Sequence, residues 1–402
     1  MPIPARPVMI TALVLNLIGF ANYAAVLPQL REGTGLSEAE AGIAGGVFFL
    51  AYAIGAPLFA GLTDTRDARR LYMIGGGLGI AGGLLFPLVD DGFAALVASR
   101  ALTGLGMAGT YMPGLRLLIE ALPPAQQQRA AGDYASTLTL GLSASFALSG
   151  AMQWAFGWPA AFLAAAATAA AALALVRATM PSPRLVPATH SLWRRLVNVA
   201  RGRHVPLLLL AAAGNSWEGM AFRTWWIALL GFAAALPGNA AFSGVNFALA
   251  TAFVGLLAMP LSAFVVRRAE AGRRHRVIAL AAGSSVLVGA VLALMLHAPF
   301  VAVFLLTVAY LCAIFADAGA MPPALLAQVP QADRGAALAL LSAATNSAAF
   351  LGVVVVGFVL HAAGGAGSAT AWQAAIVAMA AGSAVTTAAM LAIDRARETP
   401  PA

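Results

Sequence analysis

Apolar residues occur along this chain in long runs rather than in alternation. Stretches of about twenty, broken by short turns rich in glycine, proline or arginine, recur from one end to the other. A helix needs about 20 apolar residues to cross roughly 30 Å of hydrocarbon. Twelve such runs can be marked, starting near Val8, Ala39, Leu71, Phe93, Ala130, Pro159, Val205, Ala240, Val277, Pro299, Gly335 and Thr370. Lipid cannot satisfy exposed backbone groups, so the spans must be helices or closed barrels, and nothing here alternates as barrel strands do. The pattern predicts an all-α membrane protein with twelve transmembrane helices. One longer break, Thr179 to His204, divides them. It sets off an N-terminal six-helix bundle over residues 1–179, a central loop over 180–204 and a C-terminal six-helix bundle over 205–402.

Composition supports that pattern. Of 402 residues, 61% are hydrophobic and 9% charged, against about 25% charged in a soluble domain. The apolar stretch from Val8 to Leu27 exceeds the ~7–15 residues of a signal-peptide core, so it reads as the first span. All 23 basic residues are arginine, and their placement is uneven. With the N-terminus in the cytoplasm, nearly all fall on inner segments. Only Arg31 lies in an outer loop, Arg100 and Arg223 lie within spans, and the outer turn after span three carries Asp90 and Asp91. The positive-inside rule therefore predicts an N-in, C-in topology, with the central loop cytoplasmic. The net charge of +8 is then a topology signal, and no nucleic-acid partner is expected.

Little soluble chemistry is on offer. The single Cys312 has no disulfide partner and no metal-ligand spacing around it. His190, His204, His275, His297 and His361 fall in loops or at helix ends, without ligand or triad spacing. No GxxxxGK[ST] motif occurs, so ATP is not a direct energy source. No metal or cofactor is expected, and no enzyme activity.

The two halves echo one another, as in transporters built from repeats. MAGTYMPGLRLLIEALPPAQQQRAAG (Met107 to Gly132) parallels FADAGAMPPALLAQVPQADRGAALA (Phe315 to Ala339): each has Met-Pro in an apolar run, a proline-marked end, then Gln and Arg. GLTDTRDARR (Gly61 to Arg70) has a basic counterpart in RRAEAGRRHR (Arg267 to Arg276). With SRALTGLGMAG, which supplies Arg100, Gly104 and Gly106 on span four, the chain resembles the major facilitator superfamily over essentially its whole length. The resemblance implies two six-helix bundles, a monomer, and a conformational latch at Asp64, Arg69 and Arg70. Ala60 and Asp67 stand where that loop usually has glycines. Span five has small residues at four-residue spacing (Thr137, Gly141, Ser145, Ser149) in place of the glycine-proline pattern of exchangers.

Charges inside spans are costly, about 2.5–3.5 kcal/mol on insertion scales, and usually face the bundle interior. Arg100, Glu218, Arg223 and Asp317 fall on spans four, seven, seven and ten. In the resembled fold those spans, with span one, line the central cavity. Helical spacing aligns Asn16 with Tyr23, beside Asn22; Arg100 with Met107 and Tyr111; Asn215 with Glu218 and Phe222; and Tyr310 with Asp317. Glu218 is the lead coupling residue, a lone carboxylate that can change charge with its surroundings. Its alternative is a static ion pair with Arg100 or Arg223. Arg223 is expected on another face, nearer the outer surface. Gly214 and Gly219 are expected to loosen the helix around Glu218. Gly75, Gly79 and Gly83 are expected in close helix packing. Arg116 reads as a structural residue that snorkels to the inner surface.

The function expected is secondary active transport of a small solute across a bacterial cytoplasmic membrane. Two arginines favour an organic anion or zwitterion, with protons as coupling ion and lipid as surroundings. The alternative is a proton-driven exporter of drugs or apolar cations. A membrane-embedded enzyme or a solute sensor fits the chain less well.

Overall fold

The computed structural model describes residues 4–89, 92–182, 192–270 and 273–398. Asp90, Asp91, Arg184 and His190 lie outside them. The described elements are helical throughout. In order they are α1 (Ala5–Thr34), α2 (Glu38–Leu62), α3 (Ala68–Val89), α4 (Phe93–Glu120), α5 (Pro124–Phe156), α6 (Trp158–Thr179), α7 (Leu192–Ala200) and α8 (Val205–Ala235). There follow α9 (Phe247–Thr251), α10 (Val254–Glu270), α11 (Arg274–Leu294), α12 (Phe300–Ala316), α13 (Met321–Leu326), α14 (Arg334–Ala362) and α15 (Ala369–Glu398). Among the described residues, ten helical segments are long and apolar enough to cross a membrane by length and composition. α4 and α8, 28 and 31 residues long, fall outside that set; they carry Arg100 and Glu218.

Local chemistry sets several boundaries. Ser37 and Glu40 cap each other's backbone N–H at the start of α2, at 3.2 and 3.0 Å, a reciprocal capping box. Gly35 ends α1 in the left-handed region, φ 69°, which glycine enters without a Cβ penalty. Pro124 opens α5, six residues before the expected start, because a first-turn proline loses no helical hydrogen bond. Span eight differs more. A 3-10 turn occupies Ala240–Phe242, and the helix begins only at Phe247, capped by the Asn246 side chain on the Leu249 N–H at 3.1 Å.

The helices form two compact units. One comprises Met1–Leu36, Val47–Thr189 and Asn246–Leu256; the other comprises Ser37–Gly46, His190–Val245 and Leu257–Ala402. In the first, α3 and α4 approach backbone to backbone. A Cβ on Gly75 would strike Gly109, and one on Gly106 would strike Gly79, while Gly83 packs on α6 at Ala166. Such seams let van der Waals packing replace a hydrophobic drive that lipid does not supply. The small residues of span five serve the same end: Gly141 meets Leu17, and Ser145 Oγ donates to the Ile18 carbonyl at 2.6 Å and accepts from the Ala21 N–H at 3.1 Å.

In the second unit, α8 is the central element. Gly214 and Gly382 of α15 are in mutual contact, Trp217 backs onto Gly352 of α14, and Gly219 meets Phe315. α8 is continuous past all of them. Gly214 and Gly219 therefore admit neighbours and do not loosen the helix, contrary to the sequence expectation. Trp217 and Trp225 donate to the Ala378 and Val353 carbonyls at 2.9 and 3.3 Å, which makes them packing residues. Leu196 and Val199 of α7 join the core of this unit with Leu208, Met321 and Ala337.

The seams give a direct test. Gly106→Val is expected to destabilise the detergent-solubilised protein by about 1–3 kcal/mol through overpacking. Gly77→Val, where a Cβ meets nothing within 4 Å, is the matched control. Equal melting behaviour of the two variants would refute the seam.

Candidate functional site

Glu218 is fully buried in the second unit, with 0% exposure. Its place follows from helical spacing, which puts Asn215, Glu218 and Phe222 on one face of α8. Tyr310 of α12 donates to Oε1 at 2.5 Å, and Ser285 of α11 lies 2.9 and 3.0 Å from the two oxygens. Ser383 of α15 donates to Oε2. Four helices thus converge on one side chain. Phe222 packs edge-on against the Tyr310 ring, centroids 4.9 Å apart, and Gly289 makes room for that ring. Among the described residues no cation pairs with Glu218; the static ion pair weighed from sequence is not formed. Hydroxyl donors to a charged group are worth about 1.5–3 kcal/mol each. Three of them outweigh the roughly 2.5–3.5 kcal/mol of inserting a charge at mid-bilayer depth, so hydroxyls alone can hold this carboxyl.

One helical turn away on α8, Asn215 Nδ2 donates to Asp317 Oδ1 at 2.8 Å and to the Ile314 carbonyl at 2.7 Å. Asp317 is fully buried, and its Oδ2 has no hydrogen-bond partner. It sits where α12 stops: Ala318–Ala320 form a 3-10 turn before α13 resumes at Met321. The sequence supplies the cause. Pro322 and Pro323 lack the N–H groups an α-helix would direct at the carbonyls of Ala318 and Gly319. Arg223 lies elsewhere on α8, stacked on the Phe315 ring 4.2 Å from its centroid.

The first unit holds a buried cation instead. Arg100 of α4 is 2% exposed, lies over the Tyr23 and Phe48 rings at 5.1 and 4.7 Å, and donates from Nη1 to Asn22 Oδ1 at 3.2 Å. Its Nε has no partner. Asn22 and Phe48 also line a cavity of about 20 Å³, room for roughly one water, beside Asn16, Thr103 and Thr110. Tyr111 is elsewhere, tilted against Tyr134 with centroids 5.3 Å apart.

The three expected latch residues are not gathered together. Asp64 pairs with Arg116 at 3.0 Å, and Arg116 also pairs with Glu120 at 2.6 Å. Arg69 donates to the Arg177 carbonyl, and Arg70 lies 4.0 Å from Asp67 with its side chain 87% exposed. Arg116, read from sequence as a structural residue that snorkels, pairs with both Asp64 and Glu120.

Sequence reasoning found Glu218, Tyr310, Asn215 and Asp317 but missed Ser285 and Ser383. No sequence signal singled them out: the Ala-Ala-Gly-Ser shared by Ala281–Ser284 and Ala380–Ser383 ends on Ser284 and not on Ser285.

Buried charges on long packed helices of high hydropathy define a multi-pass membrane protein with polar interior sites. Comparison with known proteins identifies the class. The Major Facilitator Superfamily profile matches residues 9–327. An MFS-type transporter of Bacillus subtilis (strain 168), YbcL, is 27% identical over 180 residues, 43% of this chain and 45% of that protein. The match thus spans under half the length of that relative. Among solved structures, a bacterial homolog of the human lysosomal transporter Spinster, inward-facing and unoccupied, aligns over 100% of both chains with TM-score 0.78 and 16% identity. The nucleoside transporter NupG aligns over 97% of this chain and 99% of its own, with TM-score 0.75 and 13% identity. At such identities the likeness is one of fold. The chain belongs to the major facilitator superfamily, whose members are transporters.

The hydroxyl cage is testable by a double-mutant cycle. Tyr310→Phe is expected to cost about 1–3 kcal/mol of stability, and Glu218→Leu to remove that cost from the second mutation. An equal cost in both backgrounds would mean that the hydroxyl does not serve the carboxyl.

Proposed function

We propose that this chain is a secondary active transporter that carries a small organic anion or zwitterion by alternating access, coupled to protons. The observation that carries the reading is the Glu218 carboxyl, buried and held by three hydroxyls, with no cation paired to it among the described residues. Such a group can exchange a proton without breaking an ion pair. A proton removes the charge, and the hydroxyls, which donate or accept by rotation, can serve either form. A carboxylate locked to a guanidinium could not cycle so cheaply.

The charge pattern favours an anionic solute over a cationic one. Glu218 is occupied by hydroxyl donors, and Asp317 is fully buried with one oxygen held by the Asn215 amide. Both intramembrane guanidiniums meet aromatic rings and no acid among the described residues. A guanidinium with donors to spare is suited to a carboxylate or phosphate, and Arg100, Asn22 and Tyr23 are the contacts proposed in the first unit. In the second, Arg223 is the proposed solute contact. An apolar organic cation would find Glu218 closed by its hydroxyls, and at Asp317 only the single buried Oδ2.

The same reading has α4 and α8 spanning the membrane with the ten other segments, for twelve spans. Both termini and the 180–204 loop lie in the cytoplasm, on the strength of the arginine distribution. The halves 1–179 and 205–402 are the two bundles of a monomer in the bacterial inner membrane. Asp64, Arg69 and Arg70 are its proposed conformational latch.

A thermal-shift screen of small organic anions on the purified protein would identify the solute, and its flux would then be followed in proteoliposomes. Imposing a pH gradient is expected to accelerate flux of the wild-type protein. Glu218→Gln is expected to abolish that acceleration, by at least tenfold, while solute binding persists. Undiminished gradient-driven flux in the variant would sink the coupling role.

A further inference from the structure

Asp317 has no part in the proposed proton cycle, yet it is as deeply buried as Glu218. Its side chain is fully buried, one oxygen is tied to Asn215, and the other has no donor. The helix is interrupted at this residue. An unmatched oxygen of a buried carboxylate costs several kcal/mol or more in an apolar interior, a cost that a proton or a bound cation relieves.

The groups around the interruption are oxygen-bearing. Asn215 bridges Asp317 and the Ile314 carbonyl. The Gly319 carbonyl can receive neither an i+3 nor an i+4 backbone donor, since residues 322 and 323 are both proline. A Cβ on Gly319 would come within 2.9 Å of Ser262 Oγ, so that hydroxyl also lies against the turn. Turning the Asn215 amide over would present its oxygen in place of its nitrogen, and those two orientations differ only in hydrogen bonding. One carboxylate, one amide, a hydroxyl and freed main-chain carbonyls at a broken membrane helix form a set suited to a hard monovalent cation.

We propose that the interruption of α12 at Asp317 is a binding site for an alkali-metal cation, Na+ in the first instance, built from Asp317, Asn215 and the main chain around residues 314–319. A single carboxylate fixes the charge: a monovalent ion neutralises it. A divalent ion usually draws on several acidic ligands, and among the described residues no group of three His, Cys, Asp or Glu side chains exists. The titratable and charged groups of the neighbourhood are accounted for. Glu218 is held by its own hydroxyls, and Arg223 stacks on Phe315 without an ion pair to Asp317. The site therefore does not rest on the proton reading at Glu218.

The purified full-length protein in detergent tests it. Thermal midpoints would be measured in NaCl and in choline chloride at equal ionic strength and fixed pH. The expected result is a saturable rise of several degrees with Na+ alone, lost in Asp317→Asn and retained in Glu218→Gln. An equal response to choline chloride, or a Na+ response that survives Asp317→Asn, overturns the site. Should Asp317→Asn fail to yield folded protein, equilibrium binding of radioactive sodium to the wild-type protein decides, and no saturable binding overturns it. Pairing this with the flux assay separates the two readings: a Na+ response that persists in Glu218→Gln while its pH-driven flux is unchanged removes the proton reading and leaves this one standing.

Discussion

A carboxyl group carried inside an apolar helical unit without a cation constrains everything around it. Glu218 takes hydroxyls from α11, α12 and α15, so three helices other than its own must approach α8 at one level. That approach needs thin helix surfaces, and the glycines supply them. Gly214 against Gly382 brings in α15, Gly289 admits the Tyr310 ring, and Gly219 accommodates Phe315. The packing of the second unit and the satisfaction of its central acid are one requirement. Neither can be changed alone.

The first unit meets the same low-dielectric constraint with the opposite charge and different materials. The Arg100 guanidinium is broad and weakly hydrated, so aromatic faces can accommodate it. Tyr23 and Phe48 do so, with Asn22 taking one N–H. A carboxylate has no such option, since ring faces repel it, and it must find donors. This asymmetry explains why the polar stripe of α8 recruits serines while that of α4 recruits rings. It also leaves spare hydrogen-bonding capacity on the cation, at Nε.

Much of this was legible in the sequence because bilayer physics leaves few choices. Apolar runs of span length mark helices, and charges inside them mark interior faces. Spacing alone put Asn215, Glu218 and Phe222 on one face and Tyr310 with Asp317 on another. The structure brings the first face onto the second. What could not be read was pairing between distant helices. Serine is too common in apolar spans, where it bonds its own backbone, for Ser285 and Ser383 to stand out. The partners of Arg116 were hidden for a related reason: its position near a helix end suits snorkelling, and only the fold brings Asp64 to it. The glycines of α8 were misread because glycine signals flexibility and close approach alike in one dimension. The neighbouring backbone decides between them.

The helix break illustrates how a local rule can carry information that periodicity hides. Span ten looks like one uninterrupted run, and hydropathy alone treats Phe300–Leu326 as a single segment. Two adjacent prolines nevertheless remove consecutive hydrogen bonds, so the regular helix must end a turn earlier, at Ala316. The residue at that point is the one acid of the span. A charged side chain next to irregular backbone inside a membrane adds to the polar groups that need partners, which is tolerated only where something compensates. Asn215 compensates part of it, by bonding both the acid and the last-turn carbonyl. The remainder falls on Asp317 Oδ2. Glu218, by contrast, lies on an unbroken helix and has every oxygen bonded. The two acids therefore stand under different physical demands although one turn of α8 serves both: one carboxyl is complete as it stands, and the other keeps one oxygen without a donor.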